Sequence, residues 1–448
     1  MGSDAPFTIR PSAISPGENA GRNAIAQVTP SLGNGWRTLE RFCDFIQKGC
    51  AAARHFEEIM SSTTIRWLAV LSVLCFSPAP ATAQPQTGPV PSPPVSPNPS
   101  PTPVPPVVFS GDFLASETFT TNVNATGNFG NRGGSDQASR FNISTAFLNV
   151  VRNTGFFRYG ASAGLYGIPV LGVSGNKTLQ GNANTNVYGP LPSAYVSLNP
   201  NEYTSISVGK LATLIGQENT YTYLNPNIQR GLVWNMETAV SRGIRLTATG
   251  GKYTGALELN DGFYSGHFLG LEGSMALAPD ANTTYQFVFV IPNSNAPGNP
   301  TSTIANKRLF NLMYTATRGR WTWAPYILLV QSPRSSALGY AATESAYGVV
   351  FLSTYRLDPT WSIAARIEDI ANQSATNDQS RNADLVGYGP GSGAWSFTLT
   401  PTYRHKQFLL RTDLSEVSVR FAAPRVAFGI SGSQRNQFRM VLESGLQF

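Results

Sequence analysis

Counting back from Phe448 in steps of two gives Leu446, Ser444, Leu442, Met440 and Phe438, while the other parity gives Gln447, Gly445, Glu443, Val441, Arg439 and Gln437. One face is apolar and the other mostly polar, the period of two that marks an extended strand. A soluble edge strand with so apolar a face would invite aggregation, so the pattern fits a strand between lipid and water. The alternation recurs upstream. Trp395, Phe397, Leu399 and Tyr403 oppose Ser396, Thr398, Thr400, Thr402 and Arg404, and Trp361, Ile363, Ala365 and Ile367 oppose Ser362, Ala364, Arg366 and Glu368.

Followed along the chain, the pattern places strands near 107–121, 138–152, 156–168, 191–199, 203–213, 241–250, 253–261 and 267–278. The second half gives 282–292, 307–318, 321–332, 345–357, 361–371, 393–404, 408–420 and 436–448. Each can cross a tilted apolar band of about 25 Å. Connection lengths test the count independently. Asn153-Thr154-Gly155, Gly251-Lys252, Gly319-Arg320 and His405-Lys406 are short, whereas 122–137, 169–190, 214–240, 293–306, 333–344, 372–392 and 421–435 are long. Short periplasmic turns and long external loops are the asymmetry of outer-membrane barrels. The fold expected is all-β, a transmembrane antiparallel barrel of sixteen strands within a range of fourteen to eighteen. Tyr203, Trp321, Trp323, Trp361 and Tyr403 flank the short turns and suit an interfacial aromatic girdle.

Composition agrees with a lipid-facing wall. Charged residues make up 13% of the 448, against about 25% in soluble domains. No stretch after residue 85 reaches the ~20 apolar residues of a membrane helix. The net charge of +7 is unclustered, which argues against nucleic acid as a partner. Residues 60–83 combine Arg66, an apolar core from Trp67 to Phe76 and the small-x-small site Ala81-Thr82-Ala83, the three parts of an export signal. Residues 1–59 then read as an upstream extension not expected in the mature protein, with a genuine leader as the alternative. Residues 84–106 read as a Pro-rich periplasmic tether, and 107–448 as the barrel. Cys43, Cys50 and Cys75 all precede the expected cleavage, so the exported chain carries no thiol.

The segments GKLATLIGQE (209–218), GAWSFTLTPTYRHKQFLLRTDLSE (393–416) and NQFRMVLESGLQF (436–448) resemble the OmpL-like, porin-2 family of β-barrel porins, from about residue 107 onward. The resemblance implies an outer-membrane channel and neither a substrate nor a catalytic site. The function expected is passive diffusion of small hydrophilic solutes through a water-filled lumen, with a substrate-specific channel or a surface adhesin as alternatives. Outer-membrane lipid, the barrel-assembly machinery and the solutes are the partners expected. A homotrimer is left open, and no cofactor or metal is implied.

A barrel of sixteen strands is too wide for its side chains to fill. The polar parity carries Arg158, Arg245, Glu258, Glu272, Arg308, Arg366, Glu368, Arg411, Asp413, Arg439 and Glu443, which are expected to line the pore. They either set a transverse field or form ladders that stiffen the wall, and Arg366, Arg411 and Arg439 are expected to face water. The loop 214–240 is long and rich in aromatic and apolar residues, with Glu218, Arg230 and Glu237 on it. It is the candidate constriction; the alternative is an external or intersubunit loop. Phe448, ending an alternating strand, resembles the signal read by the barrel-assembly machinery. His267 and His405 fall at opposite ends of the barrel, and no catalytic triad, metal-ligand spacing or phosphate loop is present, so an enzyme is not expected.

Overall fold

The computed structural model describes residues 107–123, 139–172, 188–262, 270–292 and 307–448. The extension 1–59, the export signal 60–83 and the tether 84–106 lie outside the described residues, as do His267 and parts of several external loops.

Sixteen antiparallel strands form one closed sheet. They are β1 Val108–Thr120, β2 Ser139–Arg152, β3 Phe157–Tyr166, β4 Ser193–Leu198, β5 Thr204–Ala212, β6 Val240–Gly250, β7 Tyr253–Asn260 and β8 Gly270–Asp280. The series continues with β9 Thr283–Ile291, β10 Arg308–Arg318, β11 Trp321–Trp323 with Tyr326–Ser332, β12 Glu344–Arg356, β13 Trp361–Asn372, β14 Gly393–His405, β15 Phe408–Arg420 and β16 Asn436–Gln447. β11 comes in two pieces because Pro325 has no N–H to give to the ladder. Its register with β10 and β12 nevertheless runs unbroken across the gap, so it crosses once. Each strand neighbours the next in sequence, and β1 pairs with β16 to close the ring. The expected strand boundaries fall within three residues of those observed.

The two faces follow the alternation. Phe113, Val208, Leu257, Met275, Leu329 and Ile367 point outward and are exposed, forming the apolar band. Left in water it would drive aggregation; in a bilayer it is solvated by acyl chains. Near the short turns Trp321 stacks on Trp323, and Trp361 lies 5.1 Å from its cross-strand partner Tyr403. Tyr203, Trp321 and Trp361 are exposed, as an interfacial girdle requires.

One parity assignment is corrected. Arg308 does not point into the lumen. On β10 the buried inward residues are Leu309, Asn311 and Met313, so Arg308 shares the outward face with Leu312. It sits at the external end of the strand, exposed, and donates to the Gln331 side chain at 3.4 Å. A long guanidinium at that level reaches the headgroup region, which is why a cation is tolerated on the lipid side.

Inside, the wall is of two kinds. On β9–β15 many inward residues are apolar, among them Val288, Leu309, Leu328, Val350, Ile370 and Val417. They form one cluster with Ile215, Leu232, Val233 and Met236 from the β5–β6 connection and with Leu385, Tyr388 and Phe428 from later external loops. On β3–β8 the inward residues are mainly small and hydroxylated, such as Ser162, Ser193, Ser207, Thr247, Thr254 and Ser274. Most are only half-buried. Ser197 and Ser207 bond across strands at 2.7 Å, and Thr249 and Thr254 at 3.2 Å.

Candidate functional site: the inward loop and its anchors

The β5–β6 connection, residues 213–239, folds into the lumen and docks on the far wall. Its sequence explains why. Ile215, Leu232, Val233 and Met236 are almost fully buried, and each such side chain contributes roughly 1.5–3 kcal/mol on leaving water. Phe147, Tyr166, Tyr221 and Trp234 belong to a second cluster that covers the loop's other side against β2 and β3. Tyr221 meets Phe147 edge-on at 4.9 Å. The chain turns through two short 3-10 segments, Thr222–Leu224 and Val233–Met236, whose outward main-chain groups need partners.

The barrel wall supplies those partners. Asp413 on β15 accepts the backbone N–H groups of Ile228 (3.0 Å) and Gln229 (2.8 Å), and also the Thr400 hydroxyl. Glu368 on β13 accepts the amides of Leu232 (2.9 Å) and Val233 (3.2 Å) and the Ser396 hydroxyl. Arg411 donates to the carbonyls of Asn225 (2.7 Å) and Thr222 (2.9 Å) while its Nε holds Glu443. Arg366 donates to the Gln229 carbonyl (2.6 Å), to Glu218 and to Thr398. Arg439 reaches the Gln229 side chain and the Val170 carbonyl. Charged partners make these bonds stronger than neutral ones.

At the loop's entry, Glu272 accepts the Leu214 amide and the Thr213 hydroxyl. Beside it, Glu258 pairs with Arg245, which also donates to the Ala212 carbonyl. Within the loop, Arg230 donates to the Ile228 carbonyl at 2.7 Å. Its main chain exchanges bonds with Pro169 and Leu171, tying the preceding external loop to this one.

Glu258, Glu272, Arg366, Glu368, Arg411, Asp413, Arg439 and Glu443 therefore lie on the lumen face as the parity required, but they are covered rather than open to water. Of the inward charges on this network only Arg245 stays partly exposed. Arg158 lies apart, near the periplasmic rim, and bonds the Gly155 carbonyl at 3.3 Å. Glu218, Arg230 and Glu237 are all on the inward loop and all buried.

Glu237 differs from the rest. Its carboxyl takes no amide or guanidinium donor, and the Tyr326 hydroxyl is the polar group that faces it. Burial pushes its carboxyl well above the ordinary carboxylate range, and Glu218 and Glu368 nearby add to the rise. Its neutral form is favoured there, since an ionised carboxylate is costly in so buried a place.

Three parts of this network carry no charge signal and escape a search for charged motifs. Gly231 lies against the Glu368 carboxylate so closely that a Cβ there would collide with it, and this lets the Leu232 and Val233 amides reach their acceptor. Thr398 accepts from Arg366, and Thr400 donates to Asp413. Their signal was only that hydroxyls share the inward parity with the charges. At the seam, Phe448 exchanges two backbone bonds with Gly111, and its ring lies over the glycine.

Among the described residues, no group of three His, Cys, Asp or Glu could hold a metal ion. No curated protein matches the chain. Solved structures similar to it include the outer-membrane channel DcaP of Acinetobacter baumannii, at 11% identity over 76% of this chain and 97% of that one, with a TM-score of 0.50. Another is an anion-selective porin from Comamonas acidovorans, at 10% identity over 76% and 99%, with a TM-score of 0.49. At such identity the likeness is one of fold. The sequence profile described as Putative beta-barrel porin-2, OmpL-like, matches residues 113–448. A closed sixteen-stranded barrel whose β5–β6 loop crosses its lumen, matched by that profile from β1 to the last strand, belongs to the OmpL-like porin-2 family of outer-membrane porins.

Proposed function

We propose that the protein lets small hydrophilic solutes diffuse passively along the hydroxyl-lined β3–β8 wall, and that the inward loop 213–239 sets the size limit. The observation that carries this reading is the grip of Asp413, Glu368, Arg366 and Arg411 on the loop's main chain. It seats the middle of the loop on β13–β16, while the serine and threonine residues of β3–β8 stay only half-buried. In this reading the buried charges act as anchors of the constriction. Liposome swelling with sugars of graded size tests it: removing residues 219–236 should raise the size limit, and an unchanged limit would place the constriction elsewhere.

A substrate-specific channel is favoured by one feature. Tyr195, inward on β4 and lying over Gly160, and Tyr223 on the loop are half-buried rings on the inner surface. Conductance that saturates with one solute class would select that reading over simple diffusion.

Export by the signal at 60–83, leaving an N-terminus at Gln84, belongs to the same reading. So does delivery to the barrel-assembly machinery through the strand that ends in Phe448. Recovery of residues 1–59 in outer-membrane protein, by mass spectrometry, would overturn the export assignment.

A further inference from the structure

The charges facing the lumen divide by sign according to whether water reaches them. Every inward carboxylate among the described strand residues is buried: Asp112, Glu258, Glu272, Glu368, Asp413 and Glu443, together with Glu344 at the external end of β12. The oxygens of Glu258, Glu272, Glu368, Asp413 and Glu443 are taken up by loop amides, wall hydroxyls and the arginines Arg245, Arg366 and Arg411. Asp112, nearest the periplasmic end, accepts from Gln447 at 2.7 Å.

The inward arginines do not follow suit. Arg366, Arg411 and Arg439 are buried, but Arg158 on β3 is only half-buried, and Arg356 on β12 and Arg404 on β14 are exposed. Their parity is fixed by register. Arg356 continues the inward row of Val350 and Leu352, and Arg404 continues that of Thr398 and Thr400, while Arg158 faces Ser197 across the ladder. All three lie next to short turns, so they surround the periplasmic mouth from three separate parts of the wall.

We infer that this porin prefers small anions, and that its selectivity is set at the periplasmic mouth by Arg158, Arg356 and Arg404 rather than by the buried charges around the inward loop. The inference rests on the porin reading above. Buried carboxylates in short contact with guanidinium groups and N–H donors spend most of their field locally. The exposed guanidinium groups concentrate anions in the mouth and offer them N–H donors directly. A passing carboxylate, phosphate or chloride ion meets donors, and a cation meets no exposed carboxylate on the described inner face of the strands. The effect reaches about one Debye length, roughly 10 Å at 0.1 M salt, so it is strongest in dilute electrolyte.

The test is the reversal potential of the purified, folded protein in a planar bilayer under a potassium chloride gradient at low salt. The wild type should reverse on the chloride side. The triple variant Arg158→Gln, Arg356→Gln, Arg404→Gln should move toward zero or the cation side while keeping unitary conductance steps. Arg318→Gln, at a similar depth but on the lipid-facing parity, should leave the potential where it was. Should the triple variant fail the heat-modifiability check for a folded barrel, the single changes Arg356→Gln and Arg404→Gln, both at exposed strand ends, should each give part of the shift. A wild type that prefers cations or shows no preference, or variants that keep the full anion preference, would overturn the inference. Absence of any conductance step from folded wild-type protein would instead overturn the porin reading, and this inference with it.

Discussion

The walls formed by β9–β15 and by β3–β8 obey the same alternation and carry different cargo on it. On the first, inward positions hold large apolar side chains and paired charges, and both are covered by loops. On the second, apart from the Arg245, Glu258 and Glu272 group at the loop's entry, inward positions hold mainly serine, threonine and small residues that remain partly open. The difference shows that "polar parity" in a barrel describes two environments. A wall that carries packing has more in common with a soluble core than with a channel lining, and mutations should read out differently on the two sides.

The largest contrast should come from the anchors. Arg366→Leu leaves Glu218 and Glu368 buried without their cation, a change that costs about 3–5 kcal/mol when one partner of a buried pair is removed. Loop 213–239 should leave the wall, unitary conductance should rise, and the folded form should melt at lower temperature. Ser207→Ala on the opposite wall should change neither. Equal behaviour of the two variants in bilayer recordings would erase the distinction.

Gly231→Val should come next. Its side chain would collide with the Glu368 carboxylate and separate it from the Leu232 and Val233 amides. The outcome expected is a wider, noisier channel in a barrel of nearly normal thermal stability, because the strands themselves are untouched. A quiet channel of wild-type conductance would show that the loop can be held without this close approach.

Added bulk should then separate the walls by sign. Ser274→Trp, placed on the open face, should reduce conductance without releasing the loop. Val350→Trp, placed within the packed cluster, should displace the loop and raise conductance. Both are read from single-channel steps, and a fall in both would mean that water runs along the packed wall as well.

The smallest effect concerns Glu237. Its carboxyl titrates higher in the folded protein than the ordinary value near 4.3 of an unfolded chain, so over that interval the folded state holds the extra proton. Stability from this group is present while it is protonated and falls as pH rises through the raised value. Amide hydrogen exchange in residues 213–239 should therefore quicken in the wild type as pH rises through that raised value, beyond the intrinsic rate increase. Glu237→Gln should remove that excess, and an excess equal in both proteins would assign it to another group.

Much of this was legible in the sequence. Strand number, polarity of the connections and the side of nearly every charged residue follow from a period of two, because one face must suit lipid. Arg308 was misassigned because β10 is apolar on both parities, Leu309 and Met313 on one and Phe310 and Leu312 on the other, so the alternation does not mark its lipid face, and a cation near the headgroups costs little. What could not be read was whether water touches an inward charge. Arg366 and Arg404 look alike in sequence, each flanked by strand residues on the polar parity, yet one is sealed under the loop and the other is exposed. The difference depends on where residues 213–239 land across the barrel, a long-range contact with no local signature. The attraction of the loop for the interior was visible in its aromatic and apolar content, and its docking partners were not.

The wall holds the inward loop chiefly by its main chain. Amides of Ile228, Gln229, Leu232 and Val233 are donors and carbonyls of Thr222, Asn225 and Gln229 are acceptors, with side-chain bonds from Glu218, Asn227 and Gln229 added to them. A loop fastened in this manner can exchange residues such as Tyr223 or Pro226 without giving up its path. Its sieving edge is thereby uncoupled from its mooring, and a lineage or a designer could retune what passes by rewriting a few exposed loop positions while the barrel stays as it is.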